Sequence, residues 1–368
     1  MTPNTLPVEH VYTCDMSDSE APNDAFLSGL REACRDLEVP LMVLPTTANK
    51  GDRWIQDEVE FGYTEDLRHA LPVVCDSPRD RGLDSFPELT LLGPDFGHFQ
   101  VGSSTPNSLD SFGNLEVSPP VTVRGRYYPF GRIIFGGRAY GDYGAETRQM
   151  MPEVRRFLYA QKVQSPIEIF TDWLTVGHVD EILSFVLAQN DKGFTVLLAS
   201  PRKAQAILRG LREEGHGSAV MFKGRTREDG RRPRFGGDNR GRVAGRRGLL
   251  GPELLLPALH GPQPGDTRRG AGYRGERCIR RSRSLPGPEK RPDGRVLPRH
   301  CEPPGNRHDQ YRAQAFRTSL PNRDISFIDD WYSYHGLLGE VHCGTNARRS
   351  PFSQAHWWEH RPDGGFDL

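Results

Sequence analysis

The chain of 368 residues is long enough for one large domain or two ordinary ones, and either size would bury a core adequate for independent folding. Its 48 basic and 48 acidic residues balance, which argues against the bulk positive charge of nucleic-acid-binding or membrane-surface proteins. The six scattered cysteines lack zinc-site spacing, and no leader or membrane-spanning apolar run is found, so we expect a soluble intracellular protein with reduced thiols.

Strand-like and helix-like segments alternate from residue 1 to about residue 228. Short runs rich in β-branched or aromatic residues predict strands: VEHVYT from Val8, LMVLP from Leu41, RIIFG from Arg132, IEIF from Ile167, EILSFVLA from Glu181 and FTVLLAS from Phe194. The helical patterns between them lead us to expect an α/β domain.

Two of these segments carry a helical period. In the first, Asn23 or Asp24 is available as a cap. Apolar residues recur after it at three- and four-residue steps: Phe26, Leu27, Leu30, Cys34 and Leu37. The second helix is predicted from Lys203 to about Glu213. Its apolar stripe consists of Ala206, Ile207 and Leu211.

The character of the chain changes at about residue 229. From there to residue 318 Arg, Gly and Pro dominate, and neither a strand period nor a helical period survives. We expect disorder there, because such a composition cannot bury enough apolar surface to offset an ordering entropy of about 1–2 kcal/mol per residue. Over residues 319–358 the composition is again that of a folded domain, and residues 359–368 are predicted to be an unstructured tail.

The segment GDRWIQDEVEFGY, residues 51–63, carries four acidic residues beside a tryptophan. If it is extended, period-two alternation puts Gln56, Glu58 and Glu60 on one face and aims Asp57 from the other. The first face would then suit a cation. A solvated acidic strand is the plain alternative.

Further oxygen ligands follow in turn-rich sequence. VVCDSPRDRG offers the oxygen groups of Asp76, Ser77 and Asp80 in a turn, with Arg79 and Arg81 beside them, and LDSFGNLE adds the carboxylate of Glu116. Calcium takes about six to eight oxygen ligands, which such side chains and loop carbonyls can supply. None of these segments has EF-hand spacing, so each carboxylate taken singly is weak evidence for a metal site.

VGHVDE and GEVHCGTN carry groups suited to acid–base and nucleophilic chemistry. His178 and Asp180 would share one face of an extended backbone, and an imidazole beside a carboxylate can act as a general acid or base. Cys343 lies between His342 and Gly344, so we expect an exposed thiol at a turn that can act as a nucleophile. A chance surface pair and an inert cysteine are the plain alternatives.

In combination these motifs are more specific. GDRWIQDEVEFGY, CDSPRDRGL, GPDFG, LDSFGNLEVSPPVTVRG, VGHVDE and GEVHCGTNARR stand in the order found in protein-arginine deiminases, which the chain resembles over residues 1–228 and about 325–358. The resemblance implies a pentein-type α/β propeller of ββαβ modules. It also implies calcium-dependent hydrolysis of peptidyl-arginine to peptidyl-citrulline and ammonia, with Ca²⁺ as cofactor and arginine-containing proteins or peptides as substrates.

The same resemblance implies a role for each site residue. Cys343 would be the nucleophile, His178 the general acid and base, and Asp57 and Asp180 the carboxylates that hold the guanidinium. The substrate-binding positions would be Trp54, Val176, Arg79 and Arg81. One calcium site would comprise Gln56, Glu60, Glu116 and the carbonyls of Phe112 and Leu115. The other would comprise Glu58, Asp76, Ser77 and Asp80.

The chain departs from the family pattern in several respects. It begins inside what would be the catalytic domain of its relatives, and Asp80 stands where they commonly have Asn. Residues 229–318 match nothing in the family, which suggests a frame-shifted or mispredicted segment. Translating the transcript in all three frames tests this: a clean frame with no familiar pattern in the other two would reject it.

Three functional classes therefore stay open. If residues 229–318 are genuine, the propeller is incomplete and the chain is an inactive homologue. RNA binding through that basic stretch is a minor alternative. The stretch lacks the interspersed aromatic residues and the regular RGG spacing that would support it. An active deiminase is the favoured reading. We expect it in the cytoplasm, with nuclear entry and a homodimer as open alternatives and no membrane partner.

Overall fold

The computed structural model describes residues 1–66, 69–102, 105–139, 147–218 and 325–352, with the backbone of residues 355 and 356. The helices are α1 Asp24–Asp36, α2 Thr46–Asn49, α3 Ile55–Glu58, α4 Pro152–Ala160 and α5 Pro201–Leu211. The strands are β1 Val8–Cys14, β2 Leu41–Leu44, β3 Val59–Asp66, β4 His69–Asp76, β5 Gly97–Gln100, β6 Leu115–Val117, β7 Val121–Val123, β8 Arg126–Tyr128, β9 Ile133–Gly136, β10 Ile167–Ile169, β11 Leu183–Leu187, β12 Phe194–Leu198, β13 Thr345–Arg349 and β14 Ala355–His356.

The predicted α/β class is confirmed, and all six predicted strands overlap observed ones. The strands form small sheets instead of one large sheet. The expected disorder at residues 229–318 and the tail at residues 359–368 lie outside the described residues.

The sheet β13-β1-β2 joins the two ends of the described chain. β1 pairs in parallel with β2, reached through α1, and antiparallel with β13, so that Val11 lies opposite both Leu41 and Ala347. β13 directly follows the turn that carries Cys343. This pairing therefore fixes that turn next to segments from the first quarter of the chain.

α1 covers this sheet with its predicted apolar face. Phe26 and Leu30 are fully buried and pack with Tyr334 and Val341 from the C-terminal segment. Asn23 stands at the N-cap position, but its side chain makes no capping hydrogen bond. The predicted cap position is confirmed, and the buried Asn23 side chain instead accepts from the Met16 N–H (2.9 Å) and donates to the Cys14 carbonyl (2.8 Å).

The acidic segment folds differently from the expectation. Ile55–Glu58 form the helical turn α3, and the strand β3 begins only at Val59. The predicted alternation of Gln56, Glu58 and Glu60 against Asp57 is therefore wrong. Distant contacts fix this geometry: the Gln56 N–H donates to the Cys343 carbonyl (3.4 Å), and Asn346 Nδ2 donates to the Val59 carbonyl (2.7 Å).

The His-x-Asp motif also folds differently. His178 is extended, but residues Val179–Glu181 form a helical turn before β11. The extended backbone that would put His178 and Asp180 on one face is therefore absent between them. β11 and β12 then form a hairpin. The strand β6, which carries Glu116, contacts this turn and belongs to the sheet β10-β9-β6.

α5 agrees with its predicted position but not with its predicted burial. Ser200 caps it by accepting from the Lys203 N–H (3.2 Å). Of the expected stripe, Leu211 is buried at 8% exposure, whereas Ile207 is 43% exposed and Ala206 is exposed as well. None of the described helices is both long and apolar enough to cross a bilayer.

Candidate active site

The turn carrying Cys343 is tied to the first part of the chain on both sides. The Cys343 carbonyl accepts from the Gln56 N–H at 3.4 Å, and the Gly344 carbonyl accepts from Thr13 Oγ1 at 2.7 Å. The Cys343 side chain is partly exposed, and its Sγ lies 3.8 Å from Asp180 Oδ2. A partly accessible sulfur therefore faces a buried carboxylate from a segment 163 positions away.

His342, the neighbour of Cys343, contacts the same carboxylate. Its Nδ1 lies 2.8 Å from Asp180 Oδ2. In the sequence His342 was noted only as a polar neighbour, and its pairing with Asp180 carried no local signal. An imidazole and a thiol thus share one oxygen of Asp180.

His178 and Asp57 form a second pair. His178 Nε2 lies 2.6 Å from the Ser108 carbonyl, and its Nδ1 lies 3.5 Å from Asp57 Oδ1. Because a carbonyl can only accept, Nε2 carries a hydrogen, and Nδ1 is the nitrogen that can exchange a proton. Burial raises the pKa of Asp57, while the charges of His178 and Arg79 oppose that rise. The second nitrogen of this imidazole therefore faces a buried carboxyl group.

The two pairs belong to one electrostatic unit. The charge of Asp180 contributes to the raised pKa of Asp57. Both carboxylates lie in the protein interior, where like charges repel strongly unless a cation lies near them. The arrangement therefore favours a positive group between or beside Asp57 and Asp180.

Gly113 makes the His178–Asp57 approach possible. A Cβ atom on this glycine would lie 2.7 Å from Asp57 Oδ1 and 2.7 Å from His178 Nδ1. Any other residue would force these groups apart. In the sequence, Gly113 was merely part of a turn-rich motif.

Backbone hydrogen bonds fix the position of His178. Glu181 Oε1 accepts from the N–H groups of Gly177 and His178, each at 2.9 Å. The buried Asn114 Oδ1 accepts from the Val179 N–H at 3.1 Å. Rigid support of this kind keeps a functional side chain in a defined geometry.

Three of the predicted substrate-binding residues are at least partly accessible. Trp54 packs edge-on against Tyr334 with ring centroids 5.7 Å apart. The Val176 carbonyl accepts from Ser108 Oγ at 2.8 Å. Arg81 is exposed, and its Nε lies 3.5 Å from Asp52 Oδ2.

Arg79, the fourth, is buried among carboxylates. Its Nη1 lies 2.6 Å from Glu58 Oε2, its Nη2 lies 2.8 Å from Asp52 Oδ2, and its Nε lies 4.0 Å from Asp57 Oδ2. These contacts raise the pKa of Arg79 against the opposing effect of burial. Arg79 thus contacts both a candidate cation ligand and a candidate substrate carboxylate.

The candidate cation ligands include buried carboxylates with strongly perturbed protonation. Burial raises the pKa of Glu58 to about 8 and that of Asp76 to about 7. Glu58 Oε1 and Asp76 Oδ1 have no hydrogen-bond partner among the described residues. Orphaned buried carboxylate oxygens are costly, and an oxygen-seeking cation such as calcium would satisfy them. Ser77 is buried beside Asp76, whereas Asp80 is exposed.

The other candidate set also comes together. Gln56 Nε2 lies 3.4 Å from Glu60 Oε2. Burial, together with the charge of Glu116, raises the pKa of Glu60 to about 8. Glu116 is buried, as are Phe112 and Leu115. The donor types in both sets therefore fit a hard divalent cation.

Asp330 lies in the segment that leads to the Cys343 turn. Because of its environment, we expect the stability of the chain to depend on pH. It is fully buried next to Glu340, and burial followed by the Glu340 charge raises its pKa to about 9. The folded chain retains this proton where the unfolded chain releases it, so the free energy of unfolding should fall as pH rises toward 9. The slope should be at most about 1.4 kcal/mol per pH unit.

Asp330→Asn should remove this part of the pH dependence. Urea denaturation of the parent chain and of Asp330→Asn at pH 5 and pH 8 measures this pH dependence. Asp329→Asn, a change at the partly exposed neighbour, is the control. An unchanged pH dependence in Asp330→Asn would contradict the assignment.

Comparison with known proteins agrees with the motifs. The family model described as protein-arginine deiminase (PAD) matches residues 1–238 and 318–359. Protein-arginine deiminase type-1 of Homo sapiens is 40% identical over 392 residues, covering 98% of this chain and 56% of the relative. The type-4 enzyme of Mus musculus is 38% identical over 387 residues, covering 98% of this chain and 55% of the relative.

The chain thus spans about half the length of these curated relatives. Among solved structures, an agmatine deiminase of C. jejuni superposes with a TM-score of 0.41 at 10% identity, covering 95% of each chain. Since the family model matches most of its residues, the chain belongs to the protein-arginine deiminase family.

Proposed function

We propose that this chain hydrolyses peptidyl-arginine to peptidyl-citrulline and ammonia, with calcium as its required ion. The observation that carries the proposal is the proximity of four groups from distant segments. Cys343 Sγ lies 3.8 Å from Asp180 Oδ2, while His178 Nδ1 lies 3.5 Å from Asp57 Oδ1. We further propose that the small sheets are modules of a pentein-type propeller built from residues 1–228 and 319–358.

Recognition of arginine follows from the two carboxylates. A guanidinium is planar and permanently charged, and carboxylates bind it through paired, charge-assisted hydrogen bonds. Asp57 Oδ1 is buried and has no hydrogen-bond partner among the described residues. A bound guanidinium would supply donors to Asp57 and Asp180 and offset their mutual repulsion.

The chemistry then proceeds at Cys343. The thiolate attacks the central guanidinium carbon and forms a sulfur–carbon bond, His178 gives a proton to the departing nitrogen, and ammonia leaves. His178 next accepts a proton from water, whose oxygen adds to the same carbon. The sulfur–carbon bond breaks, citrulline is released and the thiolate returns. Overall, arginine and water become citrulline and ammonia.

The neighbour of the sulfur affects the first step. The negative charge of Asp180, 3.8 Å from Sγ, disfavours a thiolate in the unbound protein. A positively charged guanidinium bound beside both groups offsets this effect. The nucleophile is therefore activated most strongly when arginine is present.

The ion would be held by the two oxygen sets described above. One comprises Gln56, Glu60, Glu116 and the carbonyls of Phe112 and Leu115, and the other comprises Glu58, Asp76, Ser77 and Asp80. When bound, calcium supplies positive charge that keeps these carboxylates ionised. Asp57 lies between Gln56 and Glu58 in α3, so ordering those ligands also orients Asp57. Arg79 contacts Glu58 Oε2 at 2.6 Å, which leaves the unpartnered Oε1 of the same carboxylate for the ion.

A peptide assay tests the function. The full chain is incubated with an acylated arginine peptide in calcium or in a calcium chelator, and citrulline is detected by mass spectrometry. We expect product only with calcium. Glu60→Gln should raise the calcium concentration needed for half-maximal turnover at least about tenfold, because it removes a charged oxygen ligand.

Glu153→Gln on α4 is the matched control, since the Glu153 side chain is half-exposed and forms its ion pair with Arg156 on the same helix. Product formation that survives the chelator would contradict the calcium requirement. No product at any calcium concentration, with a folded chain, would favour the inactive homologue.

A further inference from the structure

A histidine and two carboxylates meet beside β4 and β5, and of these only Asp76 belongs to a site proposed above. His98 Nε2 lies 3.7 Å from Asp76 Oδ2 and 3.7 Å from Glu88 Oε1. One potential ligand atom from each residue lies within 4.8 Å of the others. Among the described residues this is the one such group of three or more.

The sheet brings these residues together. β4 and β5 pair in parallel with Val74 opposite His98 and Asp76 opposite Gln100. Because side chains two apart share a face, Asp76 and His98 project from the same side of the sheet. Glu88 comes from the helical turn Pro87–Leu91, which packs over these strands.

Two buried polar atoms in the group lack partners. His98 Nε2 is inaccessible to solvent and makes no hydrogen bond to the described residues, although it faces both carboxylates. Asp76 is only 2% exposed, and its Oδ1 is likewise without a hydrogen bond to those residues. Buried polar atoms are normally satisfied, and His98 Nε2, which no site assigned above uses, therefore points to an absent ligand.

Neighbouring groups orient and charge the cluster. Gln100 Nε2 donates to Asp76 Oδ2 and to the Ser77 carbonyl, each at 3.2 Å, which fixes the carboxylate as supporting groups do at metal sites. Asp76 and Glu88 each bring a carboxylate oxygen to 3.7 Å from the same imidazole nitrogen. A cation would relieve this excess of negative charge.

We propose that Asp76, Glu88 and His98 bind a divalent transition-metal ion. Calcium and magnesium prefer oxygen ligands alone. Zinc, cobalt, nickel and manganese ions accept an imidazole nitrogen together with carboxylates. The proposal does not depend on deiminase activity. It extends the role of Asp76, whose Oδ2 faces this group while the residue also belongs to the candidate calcium set.

Cobalt(II) is the probe, because its visible absorption reports on its ligands. The full chain, stripped of metal, is titrated with Co²⁺ in saturating calcium, and binding is followed by absorption and calorimetry. We expect His98→Gln and Glu88→Gln each to weaken one binding event at least about tenfold. His69→Gln, at the opposite end of β4, is the matched control and should bind cobalt as the parent chain does.

Glu88 is exposed, so Glu88→Gln keeps the fold even if His98→Gln does not, and circular dichroism checks both. Equal cobalt binding in the parent, His98→Gln and Glu88→Gln would overturn the proposal. So would a loss seen only in Asp76→Asn, since the ion would then use the oxygen ligands alone. Lower thermal stability of His98→Gln with unchanged cobalt binding would make the group an ion pair and would also overturn it.

Discussion

Cys343→Ala should abolish citrulline formation and labelling by a haloacetamidine probe. The thiol is the assigned nucleophile that bonds to the guanidinium carbon, and removing a catalytic nucleophile costs at least about 10⁴-fold in turnover. The assay is citrulline release under saturating calcium and peptide, with labelling read by intact mass. Alanine fits this partly exposed turn without displacing its backbone contacts.

Cys34→Ala provides the control. Cys34 lies on the buried face of α1 and packs with Phe26 and Leu30, away from Asp180. It should keep both turnover and labelling, with only a modest loss of stability. Persistent turnover in Cys343→Ala would remove Cys343 from its assigned role.

Asp180→Asn should reduce kcat/KM by at least about a hundredfold. The change keeps the shape of the side chain but removes a buried charge that would pair with the guanidinium, a loss of about 2–5 kcal/mol for such pairs. It also removes the negative partner of His342 Nδ1, 2.8 Å away. Steady-state kinetics should show a raised KM together with a lowered kcat, because the guanidinium is held both before and during the reaction.

Asp191→Asn is the matched control, since Asp191 is exposed in the turn between β11 and β12 on the same hairpin. It should retain the kinetic constants of the parent chain. If Asp180→Asn also kept both constants, arginine could not be bound through Asp180 as proposed.

Local patterns in the sequence determined the α/β class and the position of each predicted strand. They also identified the α1 face that contains Phe26 and Leu30, because burial at these positions follows a period set by the helix itself. The long motifs around Asp57, His178 and Cys343 identified the family, which the family model confirms. These features depend on neighbours along the chain.

The tertiary structure alone decided how the groups meet. α3 replaced the expected extended strand because Cys343 and Asn346, far along the chain, hydrogen-bond to that segment. The His342–Asp180 contact joins residues 162 positions apart. Neither contact leaves a periodic trace in the sequence.

The contacts of Asp76 and Arg79 likewise depended on the tertiary structure. Motifs predicted Asp76 as an oxygen ligand, but its approach to His98 depends on the parallel register of β4 and β5. Likewise, Arg79 was expected to bind substrate, and only folding placed it against Glu58 and Asp52. The sequence by itself determined which chemical groups are present and the local structure that carries them. Their distances were decided by strand pairing between remote segments, because such pairing is a property of the whole fold.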